Sequence, residues 1–472
     1  MSTSLLVPIL VAAYFAYLVP LAIWVIMQRR EPVATLSWLL ALAFIPYLGF
    51  AVYYLFGPQR IRRRVDRRHR SRREMSEARP EIQRTGGEEE RQLVRLAERA
   101  TDFPPTTSTE AELLVDGAAT YEALLAAVES AEHHVHLEYF IYAPDDIGTR
   151  LRDALAAKAE TGVRVRLLVD AYGSGKLNRE FLEPLRRAGA EVAFFHETRL
   201  LDWLRRPKLN LRTHRKIVVV DGRHALTGGI NIEDRHDERK PHGGWHDLHL
   251  ELRGEVVRHL QIVFLEDWHY TTGVALRDEN FWPELEAGPI ETHVLPSGPD
   301  TVWEPIHRVM VEMFHQAEQR AWLTSPYFVP GEAALFAITS AAMRGVDVRL
   351  LLPTEEKLDW KLIAAAARSY YDELLAAGVK IYHYTPRMTH AKAMLVDDAQ
   401  AVVGSANFDP RSFRLNFELM VRFHDKGFAT ALGQQMESDF DNHCRRVPAD
   451  RPKGPFRQRF WDSCARLFAP VL

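Results

Sequence analysis

The chain has 472 residues and a formal net charge of −3, a length that suits about two to three domains, each with its own core. A basic stretch near the N-terminus is followed by a mildly acidic remainder, which excludes a uniformly basic nucleic-acid binder. Cys444 and Cys464 are the only cysteines, too few for a disulfide framework or a multi-cysteine metal site.

Leu5 to Met27 and Ala34 to Phe56 each run 23 residues without a charge. At about 1.5 Å per residue, a helix of either stretch reaches across a hydrocarbon core of roughly 30 Å. A signal peptide is disfavoured, because the opening "MSTS" has no basic segment and the first apolar run is too long for one. The expectation is two transmembrane helices joined by the short hairpin "QRREPV". Nine arginines between Arg60 and Arg73 follow, against Arg29 and Arg30 in the hairpin. The positive-inside rule then places the body of the protein on the cytoplasmic side of the membrane. The same arginines suit anionic headgroups, each cation near the surface contributing about 1 kcal/mol. Residues 1–58 are thus read as a two-helix anchor and 59–108 as a basic juxtamembrane linker.

From about Thr109 onward, helical and strand patterns alternate, as in an α/β sheet with covering helices. The pattern is written twice. "SAEHHVHLEYFIY" is echoed by "QAEQRAWLTSPYFVP", "AETGVRVRLLVDAYGSGK" by "AMRGVDVRLLLPTEEK", and "LRRAGAEVAFFHE" by "LLAAGVKIYHYTP", in the same order. This is a duplication into 109–290 and 291–472, with a period too long for a stacked repeat. The first copy carries an extra basic segment, "RLLDWLRRPKLNLR", which suits contact with anionic lipid or a plain surface loop. A polar extension after Asn231, "EDRHDERKPHGGWHD", reads as a loop close to a site.

Each copy ends in one polar motif: "THRKIVVVDGRHALTGGIN" from Thr213 and "THAKAMLVDDAQAVVGSAN" from Thr389. His214 and Lys216, like His390 and Lys392, are two apart, so on a strand they share a face. Asp221 and Asp397 lie seven residues beyond their histidines, an odd offset that aims them away and suits a bracing role. After six intervening residues, "GGIN" and "GSAN" read as turns that return Asn231 and Asn407 toward the His/Lys end. Two lysines, two asparagine amides and the Ser405 hydroxyl are cations and donors suited to a doubly ligated phosphate. One histidine can attack phosphorus and the other protonate the departing oxygen, so a single site forms where the copies meet.

HxKxxxxD followed by GSxN, present twice, resembles the phospholipase D superfamily. The two apolar N-terminal stretches, "SGPD" at Ser297 to Asp300 and "NFDPRSFRLNFE" at Asn407 to Glu418 are similar to the membrane-anchored bacterial cardiolipin synthases in particular. The resemblance implies two tandem α/β/α sandwich domains with pseudo-twofold symmetry behind two transmembrane helices, in the bacterial inner membrane. It implies a metal-free, cofactor-free phosphohistidine route. One phosphatidylglycerol would give its phosphatidyl group to a second, yielding cardiolipin and glycerol, with anionic membrane lipids as partners and no nucleic acid. By position, His214 and His390 would be nucleophile and acid, with His214 preferred as nucleophile. Lys216, Lys392, Asn231, Asn407 and Ser405 would grip phosphate. Glu418 and Asp247 would stand where the family's carboxylates hold the catalytic histidines, and Asp221 and Asp397 complete the catalytic motif. Gly229 stands where the second copy has Ser405, so the two half-sites differ.

Other readings stay open at this level. The same residues serve a phospholipase D that uses water in place of the lipid alcohol, and a silent anionic-lipid scaffold would keep the arginines without needing the motif. Homo-oligomerisation is undetermined. His134 and His136 share a strand face, but a lysine-rich site repels a metal cation, and a structural role is the default. Tyr139 and Tyr327, in matching places, are read as core. Phe456, Phe460, Trp461, Cys464, Leu467 and Phe468 fall on one helical face, fitting either a membrane interface or the protein's own core.

Overall fold

The computed structural model describes residues 3–27, 32–56, 91–196, 211–240, 243–358 and 360–469. The arginine cluster at 60–73, the tip of the N-terminal hairpin and most of the basic insertion of the first copy lie outside the described residues. The chain divides into two units, residues 1–64 and 65–472.

In the first unit, α1 (Thr3–Ile26) is an uncharged helix of 24 residues. The second apolar stretch is interrupted at Ile45 ahead of Pro46, giving α2 (Pro32–Phe44) and α3 (Pro46–Phe56). Tyr14 and Tyr17 donate their hydroxyls to the carbonyls of Ala43 and Pro46, both at 2.7 Å, tying α1 to the second stretch. Val25, Leu42 and Tyr53 form a small core, while Phe15, Ile23, Phe44 and Tyr47 are exposed. Among the described residues no helix is long and apolar enough to cross a membrane.

In the second unit the duplication becomes two mixed sheets. Helix α4 (Arg91–Thr101) leads into β1 (Thr106–Ser108) and the first half follows: β2 (Glu110–Val115), α5 (Asp116–Ser130), β3 (His134–Tyr139), α6 (Asp146–Glu160), β4 (Arg164–Asp170), α7 (Arg179–Arg187), β5 (Glu191–Phe195), β6 (Ile217–Val220), β7 (His224–Gly228), β8 (Leu248–Arg253) and α8 (Val256–Thr272). The second half repeats them as β9 (Ile290–Ser297), α9 (Pro305–Gln316), β10 (Arg320–Thr324), α10 (Gly331–Met343), β11 (Asp347–Pro353), α11 (Lys361–Arg368), α12 (Tyr371–Ala376), β12 (Lys380–Tyr384), β13 (Ala393–Val396), β14 (Gln400–Gly404), α13 (Pro410–Arg414), β15 (Glu418–His424) and α14 (Lys426–His443), closing with β16 (Cys444–Arg446) and α15 (Phe456–Leu467).

The first sheet runs β2-β8-β7-β6-β3-β4-β5 and the second β9-β15-β14-β13-β10-β11-β12, the same order strand for strand. In each, the last three strands are parallel and the others antiparallel. Short β1 and β16 extend the edges of the second sheet. Residues 91–108, assigned by composition to the basic linker, therefore belong in part to the second sheet's layers. The correction has a physical cause: Leu93 and Ala97 of α4 are buried beside α9, and β1 finds a free edge on β9.

Inward-facing residues of both sheets, such as Val219, Leu250, Leu395 and Val421, share one core with α8 and α14, so the halves pack sheet to sheet. The continuous apolar runs "IVVV" and "AMLV" fit strands buried on both faces. Helix ends are set by side chains: Asp145, Asn178 and Asp425 each accept an N–H of the following first turn. The bridges Tyr142 to Ile232 and Phe328 to Phe408 are equivalent, so Tyr142 matches Phe328. Tyr139 thus corresponds to Ser325 rather than to Tyr327, a two-place correction of the pairing inferred from the text. Tyr139 is buried in the core, as expected.

Candidate active site

Both polar motifs enter their sheets at the same seam. His214 donates its N–H to Phe417 O (2.8 Å) and Phe417 donates to Arg212 O (2.8 Å); His390 donates to His246 O (2.6 Å) and His246 to Met388 O (2.8 Å). Each motif is therefore stitched to the strand of the other half that carries the carboxylate. The consequence is a crossed pairing of side chains. His214 Nδ1 lies 2.9 Å from Glu418 Oε2 and 3.1 Å from Ser405 O, while His390 Nδ1 lies 2.6 Å from Asp247 Oδ2. With Nδ1–H donated to a carboxylate, Nε2 of each ring keeps its lone pair for chemistry. Phe140 stands edge-on to His214 and Trp245 tilts over His390.

The lysines are buried with them, Lys216 at 0% and Lys392 at 1% exposure. Lys216 Nζ donates to His214 O (2.8 Å); Lys392 Nζ donates to His390 O and lies 2.8 Å from His390 Nδ1. Because that Nδ1 gives its proton to Asp247, the lysine bond to the carbonyl is the one that holds. Burial, aided by the second ammonium, lowers Lys216 to about 7, and burial lowers Lys392 to about 8. An incoming phosphodiester anion favours the charged form of both. Burial and then the lysines also hold His390 well below its ordinary value, and burial holds His214 below it despite the opposing pull of Glu418. Burial alone would raise Glu418, yet His214, Lys216 and Ser405 keep it below the usual carboxylate range.

The remaining residues of the motifs separate into two groups. Asn231 and Asn407 are buried at the seam: Asn231 Oδ1 accepts from Ile141 N (3.2 Å), and Asn407 Oδ1 has no partner among the described residues. Ser405 Oγ donates to Glu418 Oε2 (2.6 Å), so its hydroxyl holds the carboxylate. Asp221 and Asp397 are not in the site. Each sits at the far end of its strand with φ of 52° and 51°. Asp221 accepts the N–H groups of Glu132, His133 and His134, and Asp397 those of Glu318, Gln319 and Arg320. Both close the start of the neighbouring strand, a bracing role of the kind their odd offset suggested.

Two site residues escape the sequence reading. Arg215 donates from Nε to Glu418 O (3.1 Å) and from Nη2 to Ser297 O (3.2 Å), and pairs with buried Asp267. It binds the first motif to two strands of the second half; its mark in the text is that "THRK" faces "THAK". His236, from the extension after Asn231, is fully buried with Nδ1 3.6 Å from Asp247 Oδ2. His236, Asp247 and His390 offer ligand atoms within 4.8 Å of one another. The ammonium of Lys392 beside His390 sets a cation in the same place, and the cluster suits proton handling better than a metal ion. His134 and His136 lie apart from this seam, both hydrogen-bonded to Gln261 and buried in the neutral form, with His134 lowered to about 4 by burial.

Two duplicated sheets that share one crossed pair of histidines, with a buried lysine beside each, define a phospholipase D-like protein built to hold a phosphodiester. A family described as "Cardiolipin synthase, PLD-like domain" matches residues 124–241 and 310–443, and one described as "Phospholipase_D-nuclease N-terminal" matches residues 18–58. The chain belongs to the cardiolipin synthase family. It is 37% identical over 468 residues to a cardiolipin synthase of Alkalihalophilus pseudofirmus, covering 96% of this chain and 92% of that one. It is 39% identical to the cardiolipin synthase of Geobacillus kaustophilus, covering 96% and 91%. Cardiolipin synthase A of Pseudomonas aeruginosa is 37% identical, covering 96% and 93%. The fold is also that of phosphatidylserine synthase from Haemophilus influenzae, with a TM-score of 0.62 at 14% identity, over 80% of this chain and 100% of that one.

Proposed function

We propose that this chain is a phosphatidyltransferase that makes cardiolipin and glycerol from two molecules of phosphatidylglycerol. The crossed His–carboxylate pairs carry this reading, because each fixes a buried imidazole through Nδ1 and leaves its Nε2 for attack or for proton transfer. His214 Nε2 attacks phosphorus and a phosphorus–nitrogen bond forms. The bond from phosphorus to the glycerol oxygen breaks, and His390, which enters this step as the imidazolium with protons on both nitrogens, gives its Nε2–H to that oxygen. His390 then takes the proton from a hydroxyl of the second phosphatidylglycerol, whose oxygen displaces His214. Lys216 and Lys392 balance the charge on the phosphate oxygens in both steps. His214 is assigned the attack because two acceptors, Glu418 Oε2 and Ser405 O, fix its ring, and Glu418 stays anionic to stabilise the cationic adduct.

The N-terminal unit is proposed to anchor the enzyme in the membrane, with α1 and the α2–α3 stretch crossing it and the body on the cytoplasmic side. The uncharged course of α1, the exposed apolar side chains of all three helices and the arginines after Phe56 support this placement. Residues 109–290 and 291–472 are proposed as the two catalytic domains. The test is to incubate the detergent-purified protein with phosphatidylglycerol alone, with chelator present, and identify the products by mass spectrometry. Cardiolipin and free glycerol are expected; phosphatidic acid without cardiolipin would make the enzyme a hydrolase.

A further inference from the structure

The half-sites differ where Gly229 of the first motif stands against Ser405 of the second. At Glu418, the Ser405 hydroxyl supplies a second donor beside His214 Nδ1, at 2.6 Å, and Asn416 Nδ2 supplies a third at 3.1 Å. The shorter Asp247 draws its carboxylate toward the backbone of the turn. A Cβ on Gly229 would come to 2.1 Å from Asp247 Oδ1, so no side chain, and hence no hydroxyl, can stand where Ser405 stands. Leu248 N donates to Asp247 Oδ1 (2.8 Å) and His390 to Oδ2, and the remaining approach to Oδ2 is taken by His236.

The position of His236 follows from the turn it sits on. It closes the short 3₁₀ turn Asp234–His236, five residues after Asn231. Its ring stands edge-on to His390 (5.2 Å between centroids) and to Trp245 (5.2 Å). Nε2 lies 3.5 Å from Asn231 Nδ2, an amide that can only donate, so Nε2 accepts and the ring proton sits on Nδ1, the atom facing Asp247. The second half has Ser412 at the same offset from Asn407, and its hydroxyl accepts from Asn407 N and makes no bond to Glu418. A buried imidazole with Nδ1 unpartnered apart from a carboxylate 3.6 Å away is costly to keep unless a small closure joins them.

We infer that His236 is a positioning residue for His390: its Nδ1–H closes on Asp247 and holds that carboxylate against His390, the task that the Ser405 hydroxyl performs for Glu418 in the other half. The inference rests on the proposed two-histidine chemistry. His236 remains neutral in this role, because burial, His390 and the two lysines keep its proton affinity low. The groups that set the protonation of His390 are Asp247, His236 and Arg235 from the first-half loops, His214 and Lys216 from the first motif, and Lys392 on its own strand. Removing the donor from Asp247 frees the carboxylate to turn and loosens its hold on His390, and only on the His390 side.

The experiment compares His236→Gln, which keeps an N–H donor, with His236→Phe, which keeps the ring without one, reading glycerol release from phosphatidylglycerol across pH. Glycerol release counts transfer and hydrolysis alike, so the outcome does not depend on which product forms. The expected result is a kcat lower on the order of 10- to 100-fold for the phenylalanine variant with KM within about threefold, and most of kcat kept by glutamine. The pH limb that reports His390 shifts in the phenylalanine variant and returns in the glutamine variant. Should the phenylalanine variant fail to fold, judged by its thermal midpoint, His236→Met takes its place. A donor-free variant with wild-type kcat and pH profile, or glutamine and phenylalanine variants equally impaired at unchanged thermal midpoint, would overturn the inference. Failure of the wild-type protein to make cardiolipin while still releasing glycerol would count against the transferase reading alone.

Discussion

Glu418 and Asp247 do the same work with side chains of different length, and the surroundings compensate for the missing methylene. Glu418 reaches across to His214 and is steadied by Ser405 and Asn416; Asp247 lies close against Gly229, where no serine fits. Exchange of either carboxylate for its amide keeps the shape and removes the charge that fixes the imidazole tautomer. Glu418→Gln and Asp247→Asn should each lower kcat by about 10²- to 10⁴-fold with little change in KM, measured by glycerol release. Ser405→Ala should cost less, on the order of tenfold, because Glu418 keeps two of its three donors. An equal loss for Ser405→Ala and Glu418→Gln would instead mean that the hydroxyl touches the phosphate directly.

At the scale of elements, the strands β6 and β13 separate chemistry from support. Their histidine and lysine ends meet at the seam, and their aspartate ends hold the first N–H groups of β3 and β10. Asp397→Asn should therefore lower stability by about 1–3 kcal/mol, seen in denaturant unfolding, and leave kcat of the folded enzyme within about twofold. The period-two spacing of His and Lys made the shared face legible in sequence, and the odd offset of Asp221 and Asp397 made their absence from it legible as well. What the text could not carry is the crossing. That Glu418 serves His214, and not the histidine of its own half, depends on contacts across roughly 200 residues of chain, for which local periodicity holds no signal. Helix α15 shows the same limit. Its sequence allowed either docking or a membrane face, and the structure docks one side and leaves the other exposed: Ala465 is buried and Asp462 pairs with Arg368, while Phe456, Phe460, Trp461, Leu467 and Phe468 are exposed. Replacing Phe460 and Trp461 by serine should raise the apparent KM for phosphatidylglycerol in mixed micelles by about three- to tenfold without moving kcat or the thermal midpoint, if this stripe meets lipid.

For the whole molecule, the two halves must stay docked for either catalytic pair to exist, and a single histidine helps to dock them. His246 Nδ1 lies 2.9 Å from Asp116 Oδ1 in the first half and its Nε2 3.0 Å from Asp439 Oδ2 on α14 of the second, with the ring stacked on Tyr384. Burial opposes the charged ring, but the bonds from Asp116 and Asp439 outweigh it and raise His246 to about 9 from the ordinary 6.5. A raised folded value means that this stabilisation is fully present below pH 6.5 and is lost as pH rises through about 9. Its full size is on the order of 3 kcal/mol. The opposite sign belongs to the histidines buried neutral: His134 and His293 are lowered to about 4 and His249 to about 3, all by burial. Their burial costs nothing above pH 6.5 and destabilises as pH falls below it, since the unfolded chain then binds protons that the native one refuses. Stability should thus peak near neutrality and decline on both sides for different reasons. Thermal midpoints followed across pH 5 to 10 check this, and His246→Gln identifies the alkaline side: it should lower the midpoint at neutral pH and flatten the fall toward about 9, leaving the acid limb in place. An unchanged alkaline limb in that variant would transfer the effect from His246 to other groups, and with it the docking role assigned to the Asp116–His246–Asp439 bridge.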